Sequence, residues 1–137
     1  DRTAAAERFF ARHAAQWDEI RSLHIGESEV EDAICRALGN RPLGRLLDIG
    51  TGTGRMIALL GANAAEAVGV DRSIEMLRVA RENLSKTGID AEFRQGDMYA
   101  LPLADRSMDT VVLHQVLHYA HQPPEAIAEA RNRLCAR

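Results

Sequence analysis

The stretch Arg45-Leu46-Leu47-Asp48-Ile49-Gly50-Thr51-Gly52-Thr53-Gly54-Arg55-Met56 decides the fold, because an apolar run ends there in an acid and three alternating glycines. Leu46, Leu47 and Ile49 form a short apolar run without alternation, which predicts a strand buried on both faces. Apolar residues then return at helical spacing from Met56 to Leu60. A strand, a glycine turn and a helix in this order predict the opening of a nucleotide-binding βαβ unit.

The glycine turn suits a ligand that lies against bare backbone, since any Cβ atom would hold that ligand away. The helix that begins near Gly54 directs N–H groups and the positive end of its dipole into the same crevice, which favours an anionic or strongly polar ligand. Two other glycine motifs are excluded. The dinucleotide fingerprint needs glycine at the position of Arg55, and the phosphate loop needs a Gly-Lys-Ser/Thr run that is absent.

A second acid follows at the distance that a nucleoside-binding fold requires. The run from Ala67 to Val70 predicts a second buried strand that ends at Asp71, about 20 residues beyond Gly50. There a carboxylate can accept both ribose hydroxyls. The predicted order is two helices and then β-α-β-α-β-loop-β-α-α. It gives an α/β fold: a Rossmann-like parallel sheet in the order 3-2-1-4, flanked by helices.

Five segments in order resemble the motifs of class I S-adenosylmethionine-dependent methyltransferases with a Rossmann-like fold. They are the D-x-G-x-G-x-G run from Asp48 to Gly54, Asp71-Arg72-Ser73-Ile74-Glu75-Met76-Leu77, Gly96-Asp97-Met98-Tyr99-Ala100-Leu101-Pro102, the run from Asp109 to Tyr119, and the run from Pro124 to Leu134. One departure is Asn132, where the family more often has an arginine-valine-leucine run. The resemblance implies a methyl transfer from S-adenosylmethionine, with S-adenosylhomocysteine as product, to a small-molecule acceptor.

The resemblance also implies which residues bind the cofactor. Asp71 would accept the ribose hydroxyls, Asp97 would meet the adenine amino group, and His114 and Gln115 would meet the methionine part. For Met76, core packing and contact with adenine remain equal alternatives. The full cofactor-binding set comprises Asp48, Gly50, Thr51, Gly52, Gly54, Asp71, Arg72, Met76, Asp97, Met98, His114 and Gln115.

Methyl transfer by direct displacement needs alignment of the two reactants, and a general base only if the nucleophile is protonated. His114 and His118 are the candidate bases. His118 and Tyr119 are expected toward the substrate mouth, with a structural hydrogen bond as the alternative for each. A metal site is rejected, because Gln115 stands where the zinc-protease pattern has glutamate and no third ligand is evident.

Residues 1–40 are predicted to form a helical leader, and residues 41–137 the cofactor-binding domain. Trp17 belongs to an apolar stripe at helical spacing, and it either docks this leader on the domain or helps to close it as a lid. The segment resembles the leader of methyltransferase portions found behind ArsR-type winged-helix regulators. That resemblance gives an alternative function, a binding or regulatory module without turnover. A nicotinamide-dependent oxidoreductase is disfavoured, because no hydride-transfer site is recognised.

Local signals place two further helices. Ser28 and Glu31 have the spacing of a capping box for a helix that ends near Leu38, with Val30 on its apolar face. Ser73 is the predicted N-cap of a helix that runs to about residue 86.

Composition limits the remaining classes. The chain has 137 residues, 46% of them hydrophobic, which suits one domain with a core. A formal net charge of -3 with interspersed acids and bases gives no basic footprint for nucleic acid. No apolar run approaches membrane-spanning length and no cleavable leader is recognised, so we expect a cytoplasmic protein without a membrane partner. Cys35 and Cys135 are unclustered and predict neither a disulfide nor a metal site.

The resembling family continues beyond a helix like that from Glu125 to Leu134 into further strands, whereas this sequence ends at Arg137. The fourth strand, near residues 110–113, would then be an apolar sheet edge. The alternatives are a fragment of a longer chain, which could include a winged-helix domain, a cleaved product, or a homo-oligomer or domain-swapped dimer in which another copy completes the sheet.

Overall fold

The computed structural model describes residues 27–38, 40–113 and 121–135. Its elements are α1 (Glu27–Leu38), β1 (Gly44–Ile49), α2 (Arg55–Leu60), β2 (Ala64–Asp71), α3 (Ile74–Ser85), β3 (Ala91–Gln95), β4 (Thr110–Val112) and α4 (Pro123–Asn132). A 3₁₀ turn, Gly61–Asn63, joins α2 to β2. The predicted leader helix, with Trp17, lies outside the described residues, and the division of the chain at residue 40 stays a prediction.

The strands form one parallel sheet in the order β3-β2-β1-β4, which confirms the predicted fold class and strand order. β1 lies between β2 and β4. Leu47 pairs with Val68 on one side and with Val111 on the other. The chain therefore moves outward from β1 through β2 to β3, and then returns to place β4 on the opposite side of β1.

Both faces of β1 are buried, as the unalternating apolar run predicts. Leu46 is 1% exposed and packs with α2 and α1 through Met56 and Leu60 and the half-buried Ile34 and Leu38. On the opposite face, Leu47 and Ile49 pack with Val68, Val70, Leu101, Met108 and Ala130, the last of which belongs to α4. Helices therefore cover the two faces of the sheet, which is why each inner strand is apolar on both sides.

The helix α3 packs on the same face as α2. Its Leu77, Ala80 and Leu84 form a cluster with Ile57, Ala67 and Phe93. Ser73 is the N-cap, as predicted: its hydroxyl accepts a hydrogen bond from the Met76 N–H group at 3.2 Å. The cap fixes where α3 begins, immediately after the strand β2 ends at Asp71.

Two expectations about α1 are corrected. The helix ends at Leu38 as predicted, but it begins at Glu27, so Ser28 lies inside the helix and is not its N-cap. Val30 is 48% exposed and does not belong to the core, whereas Glu31 beside it is 5% exposed. Glu31, which the capping-box pattern assigned to the helix cap, is therefore a buried acid, and its partner Arg55 is distant in sequence.

Within the described residues, no helix is both long enough and apolar enough to cross a membrane.

Candidate functional site

The glycine turn after β1 folds across the end of β2. The N–H groups of Gly50 and Thr51 both donate to the carbonyl oxygen of Val70, at 2.8 and 3.0 Å. Gly50, Gly52 and Gly54 have φ values of 71°, 55° and 84°, in the left-handed region that L side chains rarely adopt. The three alternating glycines are thus required by the backbone of the turn itself.

Asp71 ends β2 directly opposite this turn. Its Oδ2 accepts the N–H of Gly52 at 2.9 Å, and its Oδ1 accepts the N–H of Ser73 at 2.9 Å. An ionised carboxylate has about four acceptor positions, so Asp71 keeps room for a further donor beside these backbone groups. Burial raises the pKa of Asp71, and the hydrogen bonds from the backbone of Ser73, Gly52 and Arg72 oppose that rise.

Gly54 has a second role in packing. A Cβ atom there would lie 2.7 Å from Cδ2 of Leu84 and 3.3 Å from Cβ of Ala80, both on α3. The Asn83 side chain on the same helix donates to the carbonyl oxygen of Thr53 at 3.0 Å. Close approach of α3 therefore holds the last part of the glycine turn in place.

The Thr51 side chain is buried against β2 at Gly69. Thr51 is 3% exposed, and its Oγ1 atom is buried without a hydrogen-bond partner among the residues that the structure describes. A Cβ atom on Gly69 would lie 2.7 Å from that oxygen, so Thr51 packs against the bare backbone of β2. The backbone of Thr51 shapes the turn through its hydrogen bond to Val70. A contribution of Thr51 to cofactor binding stays a prediction.

The segment after β3 brings Asp97 to the same end of the sheet. The Gly96 N–H donates to the Asp71 carbonyl oxygen at 3.0 Å, and the Tyr99 N–H donates to Asp97 Oδ1 at 2.9 Å. Asp97 is half-buried, as is Met98 beside it. Asp71 therefore ends β2 and Asp97 follows the neighbouring strand β3, and backbone N–H donors orient both carboxylates.

The remaining predicted residues divide into two groups. Asp48 and Met76 are 3% and 2% exposed, so both are interior residues, while Arg72 is half-buried and its carbonyl oxygen accepts from Gln95 at 3.1 Å. The other group lies outside the described residues, so its roles stay predictions. It comprises Trp17, His114, Gln115, His118 and Tyr119.

The sequence did not predict two polar contacts of the described residues. The Arg55 Nε donates to Glu31 Oε1 at 2.9 Å and so ties α1 to the start of α2. Glu129 accepts the N–H of Leu101 at 2.7 Å, in the segment that follows Asp97. No local pattern points to either pair, because the partners are 24 and 28 residues apart. No group of three or more metal-ligating side chains occurs in the described part of the chain.

This arrangement defines a class of protein. A glycine turn with positive φ, an acid at the end of the next strand and a reversal of strand order beside β1 are the features of Rossmann-like domains that bind a nucleoside cofactor. The residues fit an adenosine group, because Asp71 keeps acceptor capacity for a ribose hydroxyl and Asp97 provides a second acceptor nearby.

Comparison with known proteins gives the family. A family model described as "Methyltransferase domain" matches residues 47–136. The chain is 32% identical over 136 residues to the ubiquinone/menaquinone biosynthesis C-methyltransferase of Dinoroseobacter shibae, covering 95% of this chain and 54% of that relative. The chain therefore belongs to the methyltransferase domain family, within the class I S-adenosylmethionine-dependent methyltransferases.

Solved structures agree on the fold. YcgJ from Bacillus subtilis superposes with a TM-score of 0.73 at 27% identity, over 79% of this chain and 47% of that one. The [4+2]-cyclase SpnF superposes with a TM-score of 0.69 at 24% identity, over 78% of this chain and 41% of that one, a likeness of fold alone. The chain spans about half the length of the proteins that it resembles.

Proposed function

We propose that this protein is an S-adenosylmethionine-dependent methyltransferase that transfers a methyl group to a small-molecule acceptor by direct displacement. The observation that carries the proposal is the Asp71 carboxylate beside the glycine turn. The N–H groups of Gly52 and Ser73 orient it, each through one of its two oxygens. Such a fixed acceptor recognises a diol, the feature that distinguishes a ribose from most other polar ligands.

The cofactor supplies a methyl group on a positively charged sulfur, which is already an excellent leaving group. The work of the chain is therefore binding and alignment. Asp71 holds the ribose hydroxyls, Asp97 accepts from the adenine amino group, and the glycine turn lets the backbone approach the ligand closely. His114 or His118 serves as general base if the acceptor nucleophile carries a proton.

A binding or regulatory module without methyl transfer, associated with an ArsR-type regulator, is the second candidate. The likeness of fold to a [4+2]-cyclase bears on this candidate only because one fold supports unrelated functions, so the fold by itself does not specify methyl transfer. The two candidates share the cofactor site and differ in turnover. Methyl transfer from labelled S-adenosylmethionine to any acceptor by the whole protein supports the enzyme, and tight binding with no transfer across a broad acceptor panel supports the module.

The first test is calorimetric titration with S-adenosylhomocysteine, for the wild type and for Asp71→Ala. We expect the substitution to weaken binding about 10-fold to 100-fold, because hydrogen bonds to a charged acceptor are lost. The matched control is Glu66→Ala, which removes an exposed acid from the opposite half of the same strand. The control should bind like the wild type.

Equal affinity of the wild type and Asp71→Ala would refute this placement of the ribose. Absence of binding by a folded wild-type protein would refute the proposed function itself. Circular dichroism on each variant shows whether a lost affinity reflects unfolding.

A further inference from the structure

Two side chains of helix α4 form hydrogen bonds with the backbone of Leu101, in the loop that follows Asp97. The Leu101 N–H donates to Glu129 Oε2 at 2.7 Å, and the Leu101 carbonyl oxygen accepts from Arg133 Nη2 at 3.3 Å. Both main-chain polar groups of one loop residue are therefore bound by side chains from one helix. The Leu101 side chain is 5% exposed and packs in a cluster with Ala130, which lies between those two helix residues in sequence.

Glu129 and Arg133 also hold each other. Arg133 Nη2 donates to Glu129 Oε2 at 2.8 Å, and the two side chains are only 12% and 16% exposed. Arg133 Nη1 donates to Asp105 Oδ1 at 2.7 Å, farther along the chain than Leu101. Hydrogen bonds to Leu101, to Asp105 and within the pair therefore hold the two side chains. Neither side chain can turn away without leaving its charge poorly solvated.

Stability alone does not account for this pair. The Arg133 Nε atom is buried with no hydrogen-bond partner in the described residues, so one donor of the guanidinium is unsatisfied. Burying two charges in this way is often no more stabilising than a well-packed apolar pair. What the pair does provide is a defined position for the main chain at Leu101.

A second contact fastens the same loop to the other end of α4. The Tyr99 hydroxyl oxygen accepts the N–H of Gln122, the N-cap of α4, at 3.0 Å. The Tyr99 N–H in turn donates to Asp97 Oδ1 at 2.9 Å. The loop is therefore held at Tyr99 and at Leu101, and the first of these residues directly orients the carboxylate of Asp97.

We propose that Glu129 and Arg133 are positioning residues for adenine recognition: they fix the loop of residues 96–103 so that Asp97 meets the adenine amino group. This inference rests on the proposed function. Neither side chain belongs to the predicted cofactor-binding set, so each acts through the loop. Loss of the pair should therefore weaken discrimination at the adenine amino group more than it weakens binding of the rest of the cofactor.

The test compares two ligands of the whole protein, S-adenosylhomocysteine and S-inosylhomocysteine, in which a carbonyl oxygen replaces the amino group. The wild type should prefer the adenosine ligand by about tenfold or more, because the inosine ligand presents an oxygen to a carboxylate. Asp97→Ala should abolish most of that preference. Glu129→Ala should reduce the preference to within about twofold of the Asp97→Ala value.

A merely structural role would lower both affinities equally and leave the preference intact, and that outcome overturns the inference. The matched control is Glu125→Ala, an exposed acid one turn earlier on α4, which should keep the wild-type preference. If Glu129→Ala does not fold, Arg133→Met serves in its place, because it removes the donor to the Leu101 carbonyl oxygen and should reduce the preference in the same way.

Failure of the proposed function gives a different result. A wild type that binds neither ligand refutes the proposed function together with this inference. A wild type that prefers S-adenosylhomocysteine, beside a Glu129→Ala variant with the same preference, refutes the inference alone.

Discussion

At the scale of single residues, Asp71 is an acid of the candidate site whose pKa is shifted by its environment. Burial disfavours its charged form and raises its pKa above the ordinary value of 3.8, although three backbone hydrogen bonds favour the charge. The neutral form is therefore stabilised in the folded, unliganded domain. By linkage, Asp71 makes the domain less stable as pH rises from 3.8 to its raised pKa, because in that range the folded state still holds a proton that the unfolded state has lost.

This pKa predicts how cofactor binding depends on pH. Only the ionised carboxylate accepts from two ribose hydroxyls, so affinity for S-adenosylhomocysteine should fall as pH drops through the raised pKa of Asp71. The fall should begin at a higher pH than it would for an aspartate with the ordinary value. Calorimetric titration over a pH series in which the protein stays folded measures it, and Asp71→Ala should give a weaker and flatter profile. An identical pH profile for that variant would assign the titration to another group.

At the scale of elements, the glycine turn, α2 and α3 meet at Gly54, a position that requires a residue without a side chain. Gly54 combines a φ of 84° with a neighbour, Leu84 Cδ2, at 2.7 Å from where a Cβ atom would lie. Conformation and space therefore both require glycine there. Gly88, after α3, has a φ of 76° but nothing within 4 Å of its Cβ position, so only conformation favours glycine.

The two glycines give a matched pair of substitutions. Gly88→Ala should cost roughly 1 to 2 kcal/mol, the penalty of a left-handed backbone. Gly54→Ala should cost roughly 2 to 4 kcal/mol, because the collision with Leu84 adds overpacking to that penalty. Urea unfolding of both variants measures the difference. Equal costs would show that Leu84 moves aside freely and that packing does not constrain the turn.

At the scale of the whole molecule, the ion pair between Glu31 and Arg55 joins α1 to the start of α2, directly after the glycine turn. Glu31 is 5% exposed, so removal of its partner leaves a buried carboxylate. The Arg55 side chain is 47% exposed, so water moderates the energy of the pair. Arg55 therefore acts mainly as the partner that satisfies the buried Glu31 carboxylate.

We expect Arg55→Leu to destabilise the protein by roughly 1 to 3 kcal/mol, because a buried acceptor loses its partner. The double variant Glu31→Leu with Arg55→Leu should recover much of that loss, since it removes the buried charge as well. Chemical unfolding of the singles and the double measures this coupling. A double variant as unstable as the sum of the singles would show that the two side chains act independently.

Much of the fold follows from local patterns. The unalternating run at Leu46 and Leu47 predicted a central strand, and Ser73 predicted where α3 begins, because strand burial and helix capping depend on residues close in sequence. Predictions about α1 were less accurate. A glutamate three residues after a serine can belong to a capping box, or it can be a buried acid inside the helix. Only packing in the folded protein distinguishes the two cases.

The sequence by itself determined the glycine turn, the acid that faces it and the strand order, since glycine conformation, apolar periodicity and right-handed crossovers are properties of short segments. Only the tertiary structure decided that Gly54 must stay small beneath Leu84, that Glu31 binds Arg55, and that Glu129 and Arg133 hold Leu101. The reason is physical. A long-range polar contact forms where packing brings two elements within hydrogen-bond distance, and no spacing along the chain records that distance.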